Sequence, residues 1–406
     1  MKVGRKVSSS DIPRGFSFSA VACGLKKSGL DLALLVSEIP AAAAAVFTTN
    51  RVKAAPVLAS QIYLAQSRNK IRGVIVNSGN ANCCTGADGM AAASSTALKV
   101  ARELGDLHPS QILVCSTGVI GAPLRVQNIL RAVPGLVRSR NASASAFDGF
   151  TRAIMTTDTQ PKWAAAKCRI GGKLVRVIGC AKGSGMIHPN MATMLGFLAT
   201  DAAISPMLLS RALRRAVGPT FNSITVDGDS STNDTVTLLA NGASGARKIT
   251  AENRDYEIFC DAIESVCHSL ALAIVADGEG AQRVIEIEVR GAASDRAANR
   301  IARTIANSSL VKTAFSGGDP NWGRILAAAG RSGVPFDPDR VDIRLAGIEV
   351  CRRGRERPFN ERVAHRKMLA KHVAIVVDLH AGRGRARVWT CDFTADYVRI
   401  NASYRT

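Results

Sequence analysis

One segment of this sequence combines a hydroxyl nucleophile with a backbone suited to present it. Ala181-Lys182-Gly183-Ser184-Gly185-Met186-Ile187-His188-Pro189-Asn190-Met191-Ala192-Thr193-Met194-Leu195 runs from a glycine-rich approach, through a proline, into an apolar stretch that opens with Thr193. A hydroxyl that follows a small residue in a strained loop can attack the preceding carbonyl, here that of Ala192. Hydrolysis of the resulting ester would leave an amino-terminal threonine whose own α-amine serves as general base. The same residues also read as a plain loop followed by a helix start, with Met191, Met194, Leu195 and Leu198 as core residues. Residue types alone leave both readings open.

Other chemistries find less support. There is no GxxxxGK[ST] loop, and no GxGxxG with a matching acid follows a strand. Asp227-Gly228-Asp229 lacks the spacing to a terminal Glu that a calcium loop requires. The histidines His108, His188, His268, His365, His372 and His380 neither pair at i,i+4 nor sit beside cysteine ligands, so no metal site is expected. No serine occupies a GxSxG elbow. The ten cysteines show no metal-ligand spacing, and the one close pair, Cys83-Cys84, is adjacent. They read as small buried hydrophobes in a reducing compartment.

Short β-rich runs and helical patterns must position any such site. The runs are Leu32–Leu35, Gly73–Val76, Ile112–Cys115, Leu174–Ile178, Val284–Val289, Val341–Leu345, Val373–Val377 and Ala386–Trp389. Helical periodicity covers Met90–Leu104, Ser205–Ala216, Tyr256–Val275 and Ala297–Ser308. The two types mix without strict βαβα alternation, which predicts a layered α+β sandwich rather than a doubly wound sheet. Several apolar runs end in loops rich in Gly, Asn and Asp, where function tends to reside. They include residues 77–82, Ser116-Thr117-Gly118, 227–234 and Asp277-Gly278-Glu279-Gly280.

At 406 residues the chain has room for two or three domains, and a hydrophobic fraction of 47% supplies an ample core. Aromatics make up only 5%, so that core must rest on Ala, Val, Ile and Leu. The basic start Met1–Lys6 is followed by Ser8-Ser9-Ser10-Asp11 instead of an apolar stretch. The longest apolar runs fall short of the ~20 residues that span a bilayer. A cytoplasmic protein without membrane association is the expectation. The net charge of +21 favours anionic partners. Its densest stretch holds Arg352, Arg353, Arg355, Arg357, Arg362, Arg366, Lys367 and Lys371 without aromatics interleaved in the manner of a stacking platform, which suits a solvated basic face better than a nucleic-acid site.

Lys182–Leu195 resembles the self-cleavage motif of the ornithine acetyltransferase (glutamate N-acetyltransferase) family. The likeness extends along nearly the whole chain, through Asn77–Gly86, Cys115–Gly121, Ile154–Lys162, Thr225–Val236, Asp277–Ala281, Asp319–Leu326 and Asp396–Thr406. It implies an autoprocessed fold of the amino-terminal-nucleophile kind. Cleavage at Ala192-Thr193 would give an α chain of residues 1–192, forming an amino-terminal lobe, and a β chain of residues 193–406. Thr193 would then be the nucleophile of a ping-pong transfer of acetyl from N2-acetyl-L-ornithine to L-glutamate in arginine biosynthesis. No cofactor is implied, although some members also take acetyl-CoA as a substrate. Thr117 and Gly118 match the family's oxyanion-hole pair. Thr156, Lys182, Glu279, Asn401 and Thr406 match substrate contacts, together with Thr193. The implied assembly is a heterotetramer of two α and two β chains. The alternatives are a self-processed aminopeptidase on the same fold and a basic nucleic-acid-binding protein on this scaffold.

Overall fold

A computed structural model describes residues 7–188 and 194–403. The first sheet holds eight strands: β1 (Phe16–Val21), β2 (Leu32–Phe47), β3 (Lys70–Asn80), β4 (Ile112–Val119), β5 (Lys162–Ile170), β6 (Lys173–Lys182), β7 (Leu195–Thr200) and β8 (Thr235–Ala240). Its order is β4-β3-β2-β8-β7-β6-β5, with β1 paired to β2. The second sheet holds β9 (Val284–Ala292), β10 (Asp342–Leu345), β11 (Ile348–Arg352), β12 (Arg355–Glu356), β13 (His372–Asp378) and β14 (Gly384–Cys391). Its order is β12-β11-β10-β13-β9-β14. Helices α1 (Ala55–Gln66), α2 (Gly86–Glu103), α3 (Val126–Arg138), α4 (Ala144–Ala153), α5 (Pro206–Val217) and α6 (Arg254–Ala276) accompany the first sheet. Helices α7 (Asp295–Ala306), α8 (Ser309–Gly317), α9 (Trp322–Gly330) and α10 (Glu361–Met368) accompany the second, and α11 (Ala395–Ser403) ends the described chain. This is the layered α+β arrangement that the mixed pattern predicts.

Strands β7 and β8 run through the middle of the first sheet, and every residue in both is buried. On β7, Leu195, Phe197 and Ala199 pack on one face with Phe18, Phe147 and Phe150, while Leu198 joins the opposite core under α5 and α6. This corrects the helix start that the residues after Thr193 suggest. A strand buried on both faces reads as a continuous apolar run, without the alternation that would reveal it. Met194, Leu195 and Leu198 are nevertheless core residues, as expected, at 3%, 2% and 0% exposure. Met191, Ala192, Thr193 and Thr406 lie outside the described residues.

Two features bring distant loops together. Strand β2 pairs through Leu32–Val36 with β3 and through Ala42–Phe47 with β8, with a register shift between Val36 and Ala41. A bulge of this kind bends a strand, and Glu38, Ile39 and Pro40 are exposed there. The second feature is that strands from before and after position 193 in the chain share one sheet. Strand β7 pairs antiparallel with β6 and parallel with β8, so fragments divided at 192/193 would share one sheet.

Helix α6 begins at Asn253, whose side chain accepts the Tyr256 amide at 3.1 Å, with Asp255 and Glu257 favourably placed in the first turn. Among the described residues it is the one helix long and apolar enough to cross a bilayer. Its apolar side chains, from Phe259 to Val275, are instead packed into the core. The basic residues from Arg352 to Lys371 lie exposed on the β11–β12 hairpin, α10 and the turn beyond, as a solvated face.

Phe150 is fully buried, edge-on to Phe18 and Phe197 with centroids 5.7 and 5.5 Å away. It pins α4 against both β1 and β7. Phe150→Ala should cost about 3–5 kcal/mol, read as a lowered urea midpoint with an unchanged slope.

Candidate active site

The ends of β3, β4, β6, β7 and β8 converge on a single cleft. Thr117, Gly118, Thr156, Lys182, Glu279 and Asn401 all line it, beside Met194, Leu195, Asp227 and Asp234. All six described residues singled out from the sequence therefore meet in one place. Their separation along the chain is bridged by the parallel pairing of β3 with β4, the β5–β6–β7 meander and the return of the carboxyl-terminal helix.

Gly118 sits at φ +130°, and a Cβ there would stand 2.4 Å from the carbonyl carbon of Gly79 and 2.5 Å from the Asn80 nitrogen. Only glycine fits this close approach of two parallel strand ends. The loop is held from below by Ser116 Oγ, which donates to Asn77 Oδ1 at 2.6 Å. Asn233, just before β8, clasps it from the other half of the sheet. Its Nδ2 donates to the carbonyls of Ala81 at 2.6 Å and Ser116 at 2.9 Å.

Behind the opposite wall lies a buried ion cluster. Lys162 Nζ donates to Asp158 Oδ1 at 2.6 Å and to Asp277 Oδ2, and all three side chains are at most 3% exposed. Asp158 also accepts the amides of Gly183 at 2.7 Å and Thr156 at 3.0 Å. Burial would raise its pKa. The charges of Lys162 and Lys182, with these hydrogen bonds, hold it instead at about 2. Asp277 accepts from the amide and hydroxyl of Thr159, while its backbone carbonyl accepts from Ser184 Oγ. Three loops are thereby locked to one another.

On this frame Lys182 Nζ donates to Thr156 Oγ1 at 3.0 Å. Burial lowers the Lys182 pKa, opposed by the nearby Asp158, Asp234 and Glu279. Glu279 is 6% exposed and accepts from Asn401 Nδ2 at 2.8 Å. The Glu279 amide donates to the Ser184 carbonyl at 2.9 Å. A Cβ on Gly185 would fall 2.4–2.6 Å from the Glu279 carboxylate carbon and oxygens. Helix α11 carries Asn401 into place because Gly280 leaves room for the Tyr397 amide, which a Cβ would approach to 2.6 Å. Asp227 accepts the amides of Met186 at 2.5 Å and Ile187 at 2.9 Å, fixing the left-handed turn at Met186 (φ +55°).

Sequence reasoning did not single out Asp158, Lys162, Gly185, Asn233 or Asp234 individually. Each falls within a block or loop it flagged, but their roles come from partners up to 152 positions away. A polar site with a carboxylate and an ammonium on one small cleft suits a charged amino acid.

The pKa of Asp158 has a checkable consequence. Its folded value lies below the 3.8 of an ordinary aspartate, so its contribution is present above that pH and is lost as pH falls toward 2. The loss should total about 2 kcal/mol across that interval. Asp158→Asn should abolish this slope and lower stability at neutral pH by roughly 3–5 kcal/mol, since Lys162 stays buried with one carboxylate fewer. Urea titrations at stepped pH measure both.

Residues 17–406 match the model of the ArgJ family. The arginine biosynthesis bifunctional protein ArgJ of Symbiobacterium thermophilum is 48% identical, over 97% of this chain and 98% of its own length. Its counterpart in Geobacter sulfurreducens is also 48% identical, over 97% and 99%. Among solved structures, the ArgJ protein of Bacillus halodurans shares 44% identity, covering 50% of this chain and 96% of the solved one, with a TM-score of 0.49. With a family match from residue 17 onward and relatives of nearly equal length, this chain belongs to the ArgJ family.

Proposed function

We propose that this protein cleaves itself between Ala192 and Thr193, and that Thr193 then carries acetyl from N2-acetyl-L-ornithine to L-glutamate, releasing L-ornithine and N-acetyl-L-glutamate. The observation that carries this reading is the convergence of Thr117, Gly118, Thr156, Lys182, Glu279 and Asn401 on the cleft that Met194 and Leu195 also line. Met194 is the next residue after Thr193. Membership of the ArgJ family supports the same assignment.

In the proposed reaction the free α-amine of Thr193 takes the hydroxyl proton as the oxygen attacks the acetyl carbonyl. Thr117 and Gly118 face the tetrahedral oxyanion, where losing one donor costs about 3–4 kcal/mol of transition-state stabilisation. Lys182 and Thr156 receive the amino-acid carboxylate, and Glu279, held by Asn401, receives an ammonium group. Thr406 adds a contact from the chain end. Glutamate then takes the acetyl group, and acetyl-CoA serves as a second donor. The reaction needs no metal or organic cofactor. The cleaved chains act as a tetramer of two α and two β chains in the cytoplasm.

Three measurements test this reading. Denaturing mass analysis should give fragments of about 20 and 23 kDa, the 42.8 kDa chain divided in proportion, and Thr193→Ala should leave the chain whole and inactive. A wholly intact native chain would sink the cleavage. Ornithine release should require glutamate; release that proceeds equally without it would assign the protein to hydrolysis instead. Gly185→Ala should displace the Glu279 carboxylate and raise KM for acetylornithine ten- to a hundredfold, the equivalent of losing about 1.5–3 kcal/mol of charged hydrogen bonding.

A further inference from the structure

Most buried carboxylates of the first sheet and its rim are bonded at both oxygens. Asp31 takes three backbone amides, Asp201 takes two amides and the Arg176 guanidinium, and Asp158 takes Lys162 and two amides. Asp234 departs from this pattern. It is 2% exposed, and its Oδ2 has no hydrogen-bond partner among the described residues. A buried polar atom without a partner is costly and is retained where it serves a purpose.

The backbone shows where Asp234 is anchored. Strands β7 and β8 pair in parallel from Leu195 and Thr235 onward, and the Thr235 amide donates to the Met194 carbonyl at 3.0 Å. Asp234 is therefore level with Met194 on the neighbouring strand, and both line the cleft with Thr117 and Gly118. The Thr48 amide, donating to the Asp234 carbonyl at 2.9 Å, fixes the backbone from the other side. The peptide bond between Ala192 and Thr193 lies two residues up the chain from Leu195, where this pairing begins.

We propose that Asp234 is the proton carrier of the self-cleavage, an inference that rests on the reading of Thr193 given above. As the Thr193 oxygen bonds to the Ala192 carbonyl carbon, the bond from that carbon to the Thr193 nitrogen breaks. The hydroxyl proton passes to the Asp234 carboxyl, and a proton from that carboxyl goes to the departing nitrogen. The carboxyl ends as it began, and the chain has exchanged an amide for an ester and an amine. Water then hydrolyses the ester.

The group's charge state agrees with this role. Burial pushes the Asp234 pKa well above 3.8, opposed by the Ser231 hydroxyl and the Lys182 ammonium, a shift toward the protonated carboxyl. Lys182, from β6, is the charged group bearing on it, and Lys182 is itself surrounded by Asp158, Lys162 and Glu279. Asp227 and Asp229 line the same cleft from the preceding loop.

Asp234→Asn tests the proposal with little structural disturbance, because an amide keeps the shape and neutrality of a protonated carboxyl. The full-length variant should cleave at least about a hundredfold more slowly than the unaltered chain, within the range general acid–base catalysis supplies. It should melt together with Thr193→Ala, the other uncleaved chain. Cleavage of Asp234→Asn at the unaltered rate overturns the proposal and leaves the role of Thr193 standing. An unaltered chain that stays intact, or a Thr193→Ala chain that still cleaves, overturns the underlying reading and this one with it. Should Asp234→Asn melt lower than Thr193→Ala, the pH profile of the unaltered chain decides. A cleavage rate that falls as pH rises through the raised pKa supports the carrier, and a rate flat over the range in which the fold is stable overturns it.

Discussion

The cleft depends on one buried ammonium. Lys162 stands at the start of β5 with its charge out of water, compensated by Asp158 and Asp277. A lysine so placed tolerates no loose partner, because an uncompensated charge in the interior is far more costly than the pair is favourable. That demand fixes three stretches of chain at once: the turn carrying Thr156, the glycine loop after Lys182, and the loop carrying Glu279. The energetic contribution of such a cluster is modest beside a hydrophobic core. Its value here is in specifying positions, since each carboxylate oxygen accepts from a defined atom.

The opposite wall is fixed by close packing of backbone. Gly118 and Gly79 meet at the ends of two parallel strands at a distance that excludes any side chain, and Asn233 ties that corner to the segment leading into β8. One wall is thus rigid through charge and the other through main-chain contact and amide hydrogen bonds. Between them β7 starts, buried on both faces, where neither it nor its neighbour β8 can shift without exposing a core. A site for acyl transfer needs such preorganisation, because donors that must reorient during reaction lose most of their advantage.

The cleavage point proposed from the family lies between two strands of one sheet rather than between domains. The fragments it defines would remain joined by the ladders from β6 to β7 and from β2 to β8, and by the shared cores on both faces. Cutting one connection in such an arrangement removes no hydrogen bond of the sheet. The second sheet, with its exposed basic edge, contributes to the cleft through the loop before β9 and the helix after β14, which carry Glu279 and Asn401.

The sequence by itself determined the class of fold, the apolar stretches of β2, β3, β4, β6, β9, β10, β13 and β14, and the helices α2, α5, α6 and α7, because dense β-branched runs and 3.6-residue periodicity are local signals. It also singled out, by resemblance, Thr117, Gly118, Thr156, Lys182, Glu279 and Asn401, which the fold brings to one cleft. Tertiary structure decided the rest. Strand β7 was not legible because burial on both faces erases alternation and its Leu, Gly and Ala lack the Val and Ile that marked β3 and β4, which is why the residues after Thr193 suggested a helix. The partnership of Lys162 with Asp277 links positions 115 apart, and that of Asn233 with Ala81 links positions 152 apart. No local pattern encodes such pairs. The unpaired oxygen of Asp234 is further still from the reach of sequence, since a missing hydrogen bond exists only once every neighbour has found its place.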